Sequence, residues 1–196
     1  MCSYGRGVDY RDLDRQAMKA ADEVISQVRP EHLRLPTPCT DWTLHGLLRH
    51  LVSEDQAFAA ATTAGTEWSD VDWNAGRLGQ DPVADYRTAA AGYLAAFEPD
   101  DVLDRPMRIN VFGVVKGSTA VSMHLVDTVV HAWDVAKTIG VPYQPDEYLT
   151  ATTLKVMRRF PPQRPTAAFD VVHEVPDNAN ELDKLVAYVG RNPNWT

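Results

Sequence analysis

The sequence predicts an all-α protein built as an antiparallel four-helix bundle with a small C-terminal α/β appendage. Three observations predict it: amphipathic segments of helical period, capping residues or prolines at their ends, and a hydrophobic content of 44%. The bundle segments are residues 9–28, 43–62, 81–97 and 118–139. We expect one domain over residues 1–196, with the core at about 9–140 and the appendage at about 146–196.

The first three helices are bounded by residues that start or stop helices. Asp9 can cap the first helix, and Pro30 ends it. Thr43 is the expected N-cap of the second helix. Asp81 followed by Pro82 opens the third, because proline at the first helical position loses no hydrogen bond.

The fourth helix is the longest and follows a short β-branched stretch. Residues 107–116 suit an extended link or a small hairpin. Ser118 can cap the helix, and Gly140 is a fitting residue beyond its C-terminus. In the appendage we expect a helix opened by Asp146, a β segment at residues 167–175 and a closing helix at 180–189.

Composition limits the class of function. The net charge is −8 and the only adjacent basic pair is Arg158–Arg159, so we expect no nucleic-acid partner. No apolar run is long enough for a membrane span and the N-terminus lacks the apolar core of a signal peptide, which predicts a cytoplasmic protein without a membrane partner. Cys2 and Cys39 are too few for a disulfide framework. The sequence is compatible with either a monomer or a homodimer.

Four titratable residues share one stripe of the fourth helix: His124, Asp127, His131 and Asp134. Their spacings of 3, 4 and 3 place them on one face, whereas the rest of the helix is largely apolar. Buried imidazoles and carboxylates need a partner or a metal, and Asp127 and His131 have the i, i+4 spacing that offers two ligands. An ordinary solvated face is the alternative, although such faces usually carry Lys, Glu and Arg.

His50 lies at the edge of the apolar face of the second helix. Glu54 follows one turn later, so a hydrogen bond between the two side chains is the simplest interpretation from the pattern alone. A lone histidine at such a position is more often structural than a ligand.

Four sequence motifs are distinctive: PCTDWT at residues 38–43, LLRHLV at 47–52, HLVDTVVHAWDVA at 124–136 and LDKLVAYVGRNPNW at 182–195. Together they resemble the DinB-like metal-binding proteins, in the branch related to the N-terminal domain of mycothiol-dependent maleylpyruvate isomerase. The resemblance implies a four-helix bundle that holds a divalent metal, usually zinc or nickel. It also implies that the ligands are His50, Asp127 and His131. Relatives often carry His or Glu where this chain has Asp127, which leaves the metal open between zinc, nickel and iron.

The predicted function is a metal-dependent enzyme acting on a small molecule, of the isomerase or thiol-transferase type. Two imidazoles and one carboxylate leave an open position on a metal, where a small thiol such as mycothiol, or water, is acidified. His124 would then be a base or a further ligand, and Asp134 an acceptor that orients an imidazole. The larger isomerase supplies an arginine that has no match here, so the isomerase reaction itself does not transfer.

Two alternatives to this function remain. The same ligand set is that of non-heme iron oxygenases, although the DinB-like architecture argues against that class. A metal- or small-molecule-binding protein without catalysis, serving resistance or sequestration, is the second alternative. Cys39 is expected to be a packed loop residue rather than a nucleophile, since no activating base lies near it in sequence.

Overall fold

The computed structural model describes residues 9–67, 70–159 and 169–196. The predicted fold class is confirmed: the chain is mostly helical, with a four-helix bundle. α1 packs mainly on α4, and α2 packs mainly on α3. The bundle helices are α1 (Arg11–Ile25), α2 (Leu44–Ala61), α3 (Pro82–Ala96) and α4 (Gly117–Ile139).

The predicted ends of α1 are wrong, because its N-cap is Tyr10 rather than Asp9 and the helix ends at Ile25, well before Pro30. The predicted caps of the other bundle helices are confirmed except at the start of α4. The Thr43 hydroxyl accepts a hydrogen bond from the backbone N–H of Gly46, and Asp81 accepts one from Ala84. Gly140 closes α4 with φ of 69°, a left-handed conformation that favours glycine.

The prediction that Ser118 caps α4 is wrong. The helix begins one residue earlier, at Gly117, and no side chain caps it. The backbone N–H of Gly117 donates to the Arg105 carbonyl at 3.0 Å, and a Cβ at this glycine would lie 2.0 Å from the Val102 carbonyl oxygen. This close approach between backbones fixes the start of α4, so a capping side chain is not needed.

The β-branched stretch before α4 forms the predicted small hairpin. β1 (Pro106–Ile109) pairs antiparallel with β2 (Gly113–Lys116), with Pro106 opposite Lys116 and Ile109 opposite Gly113. The turn requires left-handed backbone at Asn110 (φ 36°) and at Gly113 (φ 84°). It carries Val111 and Phe112 at the hairpin tip, where both side chains are partly exposed.

The C-terminal segment adds α5 (Glu147–Met157) and α6 (Glu181–Tyr188), which pack on each other, while α5 packs on α4. Asp146 caps α5 as predicted. The β segment predicted at residues 167–175 is absent over its described part, 169–175, and residues 167 and 168 lie outside the described residues. Val171 and Val172 are exposed, and the backbone N–H of His173 donates to the Ala187 carbonyl of α6 rather than to a neighbouring strand.

α4 is the central helix of the fold. Sixteen of its residues are buried, and its apolar side chains contribute to both hydrophobic clusters of the core. Polar groups on this helix are therefore held in fixed surroundings. Within the described ranges, no helix combines the length and hydropathy needed to cross a membrane.

Candidate metal centre

Three side chains from α2 and α4 converge at one wall of the bundle. Nε2 of His50 lies 3.5 Å from Oδ1 of Asp127, and Nε2 of His131 lies 3.3 Å from the same oxygen. One possible ligand atom from each residue lies within 4.8 Å of the other two. We call His50, Asp127 and His131 the triad.

Neighbouring charges shift the pKa values of Asp127 and His131 in opposite directions. Burial disfavours a charged imidazole, but Asp127 and Asp134 outweigh it and raise the pKa of His131 to about 9. Burial also disfavours the Asp127 carboxylate, yet His131 and His50 lower the pKa of Asp127 well below its usual range. The carboxylate is therefore ionised at neutral pH and attracts a cation.

The outer ring nitrogens of both histidines face carboxylates. Nδ1 of His131 lies 2.9 Å from Oδ2 of Asp134, and Nδ1 of His50 lies 3.8 Å from Oε1 of Glu54. A metal-binding histidine usually donates its second N–H to a carboxylate or carbonyl, which fixes the ring and its tautomer. Two imidazoles, one carboxylate and the outer hydrogen bond of His131 fit a divalent ion with an open coordination position.

The contact between His50 and Glu54 differs from the hydrogen bond expected from the sequence. At 3.8 Å the separation is too long for a hydrogen bond. Burial, together with the negative charge of Asp127, raises the pKa of Glu54 to about 8. Glu54 therefore holds a proton near the triad at neutral pH.

The triad lines a cavity of about 760 Å³, a size typical of small-molecule sites. Trp42 packs against both histidines, with ring centroids 4.5 Å from His50 and 5.8 Å from His131. Much of the remaining wall is apolar, and it comes from the bundle helices, the loop between α2 and α3, the hairpin tip and the C-terminal segment. The apolar side chains include Phe58, Trp73, Met123, Val126, Phe112, Phe169 and Trp195.

The structure does not bring His124 to the triad. Its Nδ1 lies 2.9 Å from Oδ1 of Asp14, and its Nε2 lies 2.8 Å from Oδ1 of Asp55. Tyr93 stacks on the imidazole with centroids 3.6 Å apart and donates its hydroxyl to Asp14. Both ring nitrogens are thus occupied, and the side chain is 2% exposed. This position leaves no free nitrogen for a metal or a substrate.

These four residues form a network with one member from each bundle helix: Asp14 from α1, Asp55 from α2, Tyr93 from α3 and His124 from α4. We call it the core network. Sequence reasoning missed its other three members. The available signal was that Asp14 and Asp55 occupy the apolar faces of their helices, in line with buried residues such as Met18 and Phe58.

The core network should make stability fall as the pH rises. Burial disfavours the charged imidazole, but Asp14 and Asp55 raise the pKa of His124 to about 10 from its ordinary 6.5. The protonated ring therefore stabilises the fold fully below pH 6.5, and this contribution is lost as the pH rises through about 10. Between these values the unfolded chain binds fewer protons, so the free energy of unfolding should fall by up to about 1.4 kcal/mol per pH unit.

Urea unfolding at pH 7 and pH 9 measures this effect. The control is His124→Gln, which keeps hydrogen-bonding groups but does not titrate. We expect the wild type to lose more stability than the variant over this interval. An identical pH dependence in the two proteins would show that His124 is not held protonated by its neighbours.

Asp134 is fully buried and is bound by Arg191, a pairing that was not predicted from the sequence. Nε of Arg191 lies 3.2 Å from Oδ1 of Asp134, and Nη2 lies 3.1 Å from Oδ2. Arg191 lies within the C-terminal motif LDKLVAYVGRNPNW, but 57 positions separate it from Asp134 and no local pattern joins them.

Cys39 lines the same cavity and is half-buried. Burial raises the pKa of its thiol to about 11, so little thiolate is present at neutral pH. In a Cys2→Ser background, alkylation of Cys39 by iodoacetamide should stay slow at pH 7 to 9 and accelerate only towards pH 11. A half-maximal rate near the ordinary cysteine value of about 8.5 would mark an activated thiol instead.

A known family model matches the part of the chain that contains the triad. Residues 15–136, more than half of the chain, match the model of the mycothiol maleylpyruvate isomerase N-terminal domain. The chain belongs to this family. The resemblance seen in the sequence motifs is therefore confirmed, and the matched residues include most of α1, all of α2 and α3, and most of α4.

Two further comparisons support the fold and the extent of the family relationship. This chain is 25% identical over 180 residues to uncharacterized proteins of Mycobacterium tuberculosis strains H37Rv and CDC 1551. The matched region covers 90% of this chain and 94% of each relative. The fold of this chain is similar to crystal structures of the mycothiol-dependent maleylpyruvate isomerase and of a histidine-to-alanine mutant of that enzyme. Each matches with a TM-score of 0.59 and 15% identity, over 74% of this chain and 65% of the isomerase chain.

Proposed function

We propose that this family member is a metal-dependent enzyme in which a divalent ion, most simply zinc, activates a small thiol or water for transfer or isomerisation on a small molecule. The observation that carries the proposal is the convergence of His50, Asp127 and His131 on the wall of a cavity of about 760 Å³. Structural zinc sites use four protein ligands, whereas catalytic sites use three and leave a position open.

The chain's own residues would hold the ion and orient the ligands. A zinc ion in such a site acidifies a bound thiol or water. His50 and His131 would bind through Nε2, and Asp127 would bind through a carboxylate oxygen. The Trp42 ring packs against both imidazoles and would restrict their movement. The apolar wall then favours a substrate with an apolar body.

Mycothiol is the first thiol to test, because the related isomerase is described as mycothiol-dependent. The match covers only 65% of that enzyme, so its reaction is one candidate among several for this chain. Glutathione serves as the comparison thiol, since it offers the same thiol chemistry on a different body.

The experiment is a turnover assay on zinc-loaded protein with mycothiol or glutathione and a panel of electrophiles that includes maleylpyruvate. We expect thiol-dependent turnover that stops with a chelator and is absent in His131→Ala. The matched control is His45→Ala, which removes an exposed imidazole from α2 and should leave turnover unchanged. Turnover that persists in His131→Ala or after chelation would contradict the proposal.

Two other outcomes would assign the site to the alternative functions. Tight binding of a thiol or metal without turnover on any electrophile would indicate a binding protein for sequestration or resistance. Oxygen-consuming turnover that requires iron would indicate an oxygenase, because the same ligand set suits non-heme iron.

A further inference from the structure

A continuous line of contacts joins the C-terminal segment to the triad. Arg191 makes three hydrogen-bonding contacts to Asp134, of 3.1 to 3.3 Å. Oδ2 of Asp134 in turn lies 2.9 Å from Nδ1 of His131. Nε2 of the same imidazole faces Asp127. Two side chains, Asp134 and His131, therefore lie between the Arg191 guanidinium and Oδ1 of Asp127.

The turn after α6 places Arg191 at this position. Gly190 adopts φ of 88°, and its backbone N–H donates to Ala187, while the backbone N–H of Arg191 donates to Val186 at 2.9 Å. A Cβ at Gly190 would lie 2.7 Å from Cβ of Asp170, so only glycine fits between the turn and the preceding segment. The arginine is thus held by backbone geometry, and it lies beyond the residues 15–136 that match the family model.

A carboxylate as buried as Asp134 needs a compensating cation. The Asp134 side chain is 0% exposed and that of Arg191 is 9% exposed. The guanidinium contacts both carboxylate oxygens of Asp134, at 3.2 Å for Oδ1 and 3.1 Å for Oδ2, and so fixes the orientation of the carboxylate. Oδ2 then stays directed at Nδ1 of His131, and the ring is oriented with Nε2 towards Asp127 at the triad.

We propose that Arg191 is a positioning residue for the metal ligand His131, so that metal affinity depends on the C-terminal segment. This inference rests on the proposed function, because it requires the triad to bind a metal. A purely structural role is the competing explanation: the ion pair between Arg191 and Asp134 would then only anchor the segment after α6. That role predicts a lower unfolding temperature with unchanged metal affinity in the folded protein.

The test is a titration of full-length, metal-free protein with Co²⁺ in competition with a chelator, at a temperature where every variant is folded. Arg191→Met should weaken Co²⁺ binding by about 10- to 100-fold, the usual cost of losing an outer partner of a ligand. Arg191→Lys keeps the charge but loses the forked contact, so its affinity should fall between those of Arg191→Met and the wild type. At saturation the visible absorption bands of Co²⁺ should also change in Arg191→Met, because the His131 ring is less well oriented.

Two controls separate positioning from general destabilisation. Arg11→Met removes another arginine with a mostly covered side chain, 14% exposed, which joins the start of α1 to the carbonyl groups of Phe97 and Glu98, and it should leave Co²⁺ affinity unchanged. Asp134→Asn should weaken Co²⁺ binding about as much as Arg191→Met. The double variant should bind Co²⁺ no more weakly than the single variant with the lower affinity, because both substitutions act through the contact between Arg191 and Asp134.

Each outcome decides a different claim. If the wild type binds Co²⁺ and Arg191→Met binds it with the same affinity and the same spectrum, the positioning role is overturned and the metal function stays intact. Additive losses in the double variant would also overturn it. Failure of the wild type to bind Co²⁺ at all would overturn the proposed metal function, and the positioning role with it.

Discussion

Replacing His124 with alanine is expected to destabilise the protein by about 3 to 5 kcal/mol, the range observed when one partner of a buried ion pair is removed. The substitution leaves the carboxylates of Asp14 and Asp55 in the core without their shared cation, and their side chains are only 2% and 6% exposed. It also removes the ring that stacks on Tyr93. Chemical denaturation at pH 7 measures the loss.

Two further variants test whether the cost comes from stranded charge. His45→Ala removes an exposed imidazole from α2 and should change stability by less than about 0.5 kcal/mol. Replacing Asp14, Asp55 and His124 with leucines and Tyr93 with phenylalanine should cost less than His124→Ala alone, because no buried charge or hydroxyl group remains unpaired. A quadruple variant that is less stable than the single one would show that shape and packing, rather than charge, make the core network necessary.

The second large effect is expected at the triad. His131→Ala should reduce Zn²⁺ affinity by more than the roughly 10- to 100-fold that follows from loss of an outer partner, because it removes a ligand atom itself. His50→Ala should have a comparable effect, since each imidazole supplies one of three ligand atoms. Asp134→Asn should cost less than either, because Asp134 acts on the ion only through His131.

Competition with a chromophoric chelator at fixed pH gives these affinities. The pH must be fixed because imidazole ligands bind metal only when deprotonated, and affinity therefore falls as the pH decreases. Equal affinities for His131→Ala and Asp134→Asn would contradict the assignment of His131 as a ligand.

The sequence predicted that the titratable residues of α4 share one face of the helix. It did not predict that His124 belongs to the core network, whereas Asp127 and His131 belong to the triad. Asp127 and His131 are one turn apart and meet at the triad. His124 lies seven residues before His131, which is about 10.5 Å along a helix axis, so one ion cannot reach both side chains. Angular periodicity places residues on a face but does not show which neighbouring helix each one meets.

His50 shows what the family resemblance added. Its position on α2 was predicted from the pattern, yet the pattern alone favoured a hydrogen bond with Glu54, which the separation of 3.8 Å excludes. The helices themselves were predictable because caps such as Thr43 and Asp81 act locally. The core network and the contact of Arg191 with Asp134 join distant segments, and no local signal specifies such pairings.

Elemental analysis of purified protein after zinc loading and desalting tests the central claim most directly. We predict one zinc ion per chain in the wild type and in His45→Ala, and a loss of that ion in both His50→Ala and His131→Ala. Wild-type stoichiometry retained in both of these triad variants would show that His50, Asp127 and His131 do not form a metal site.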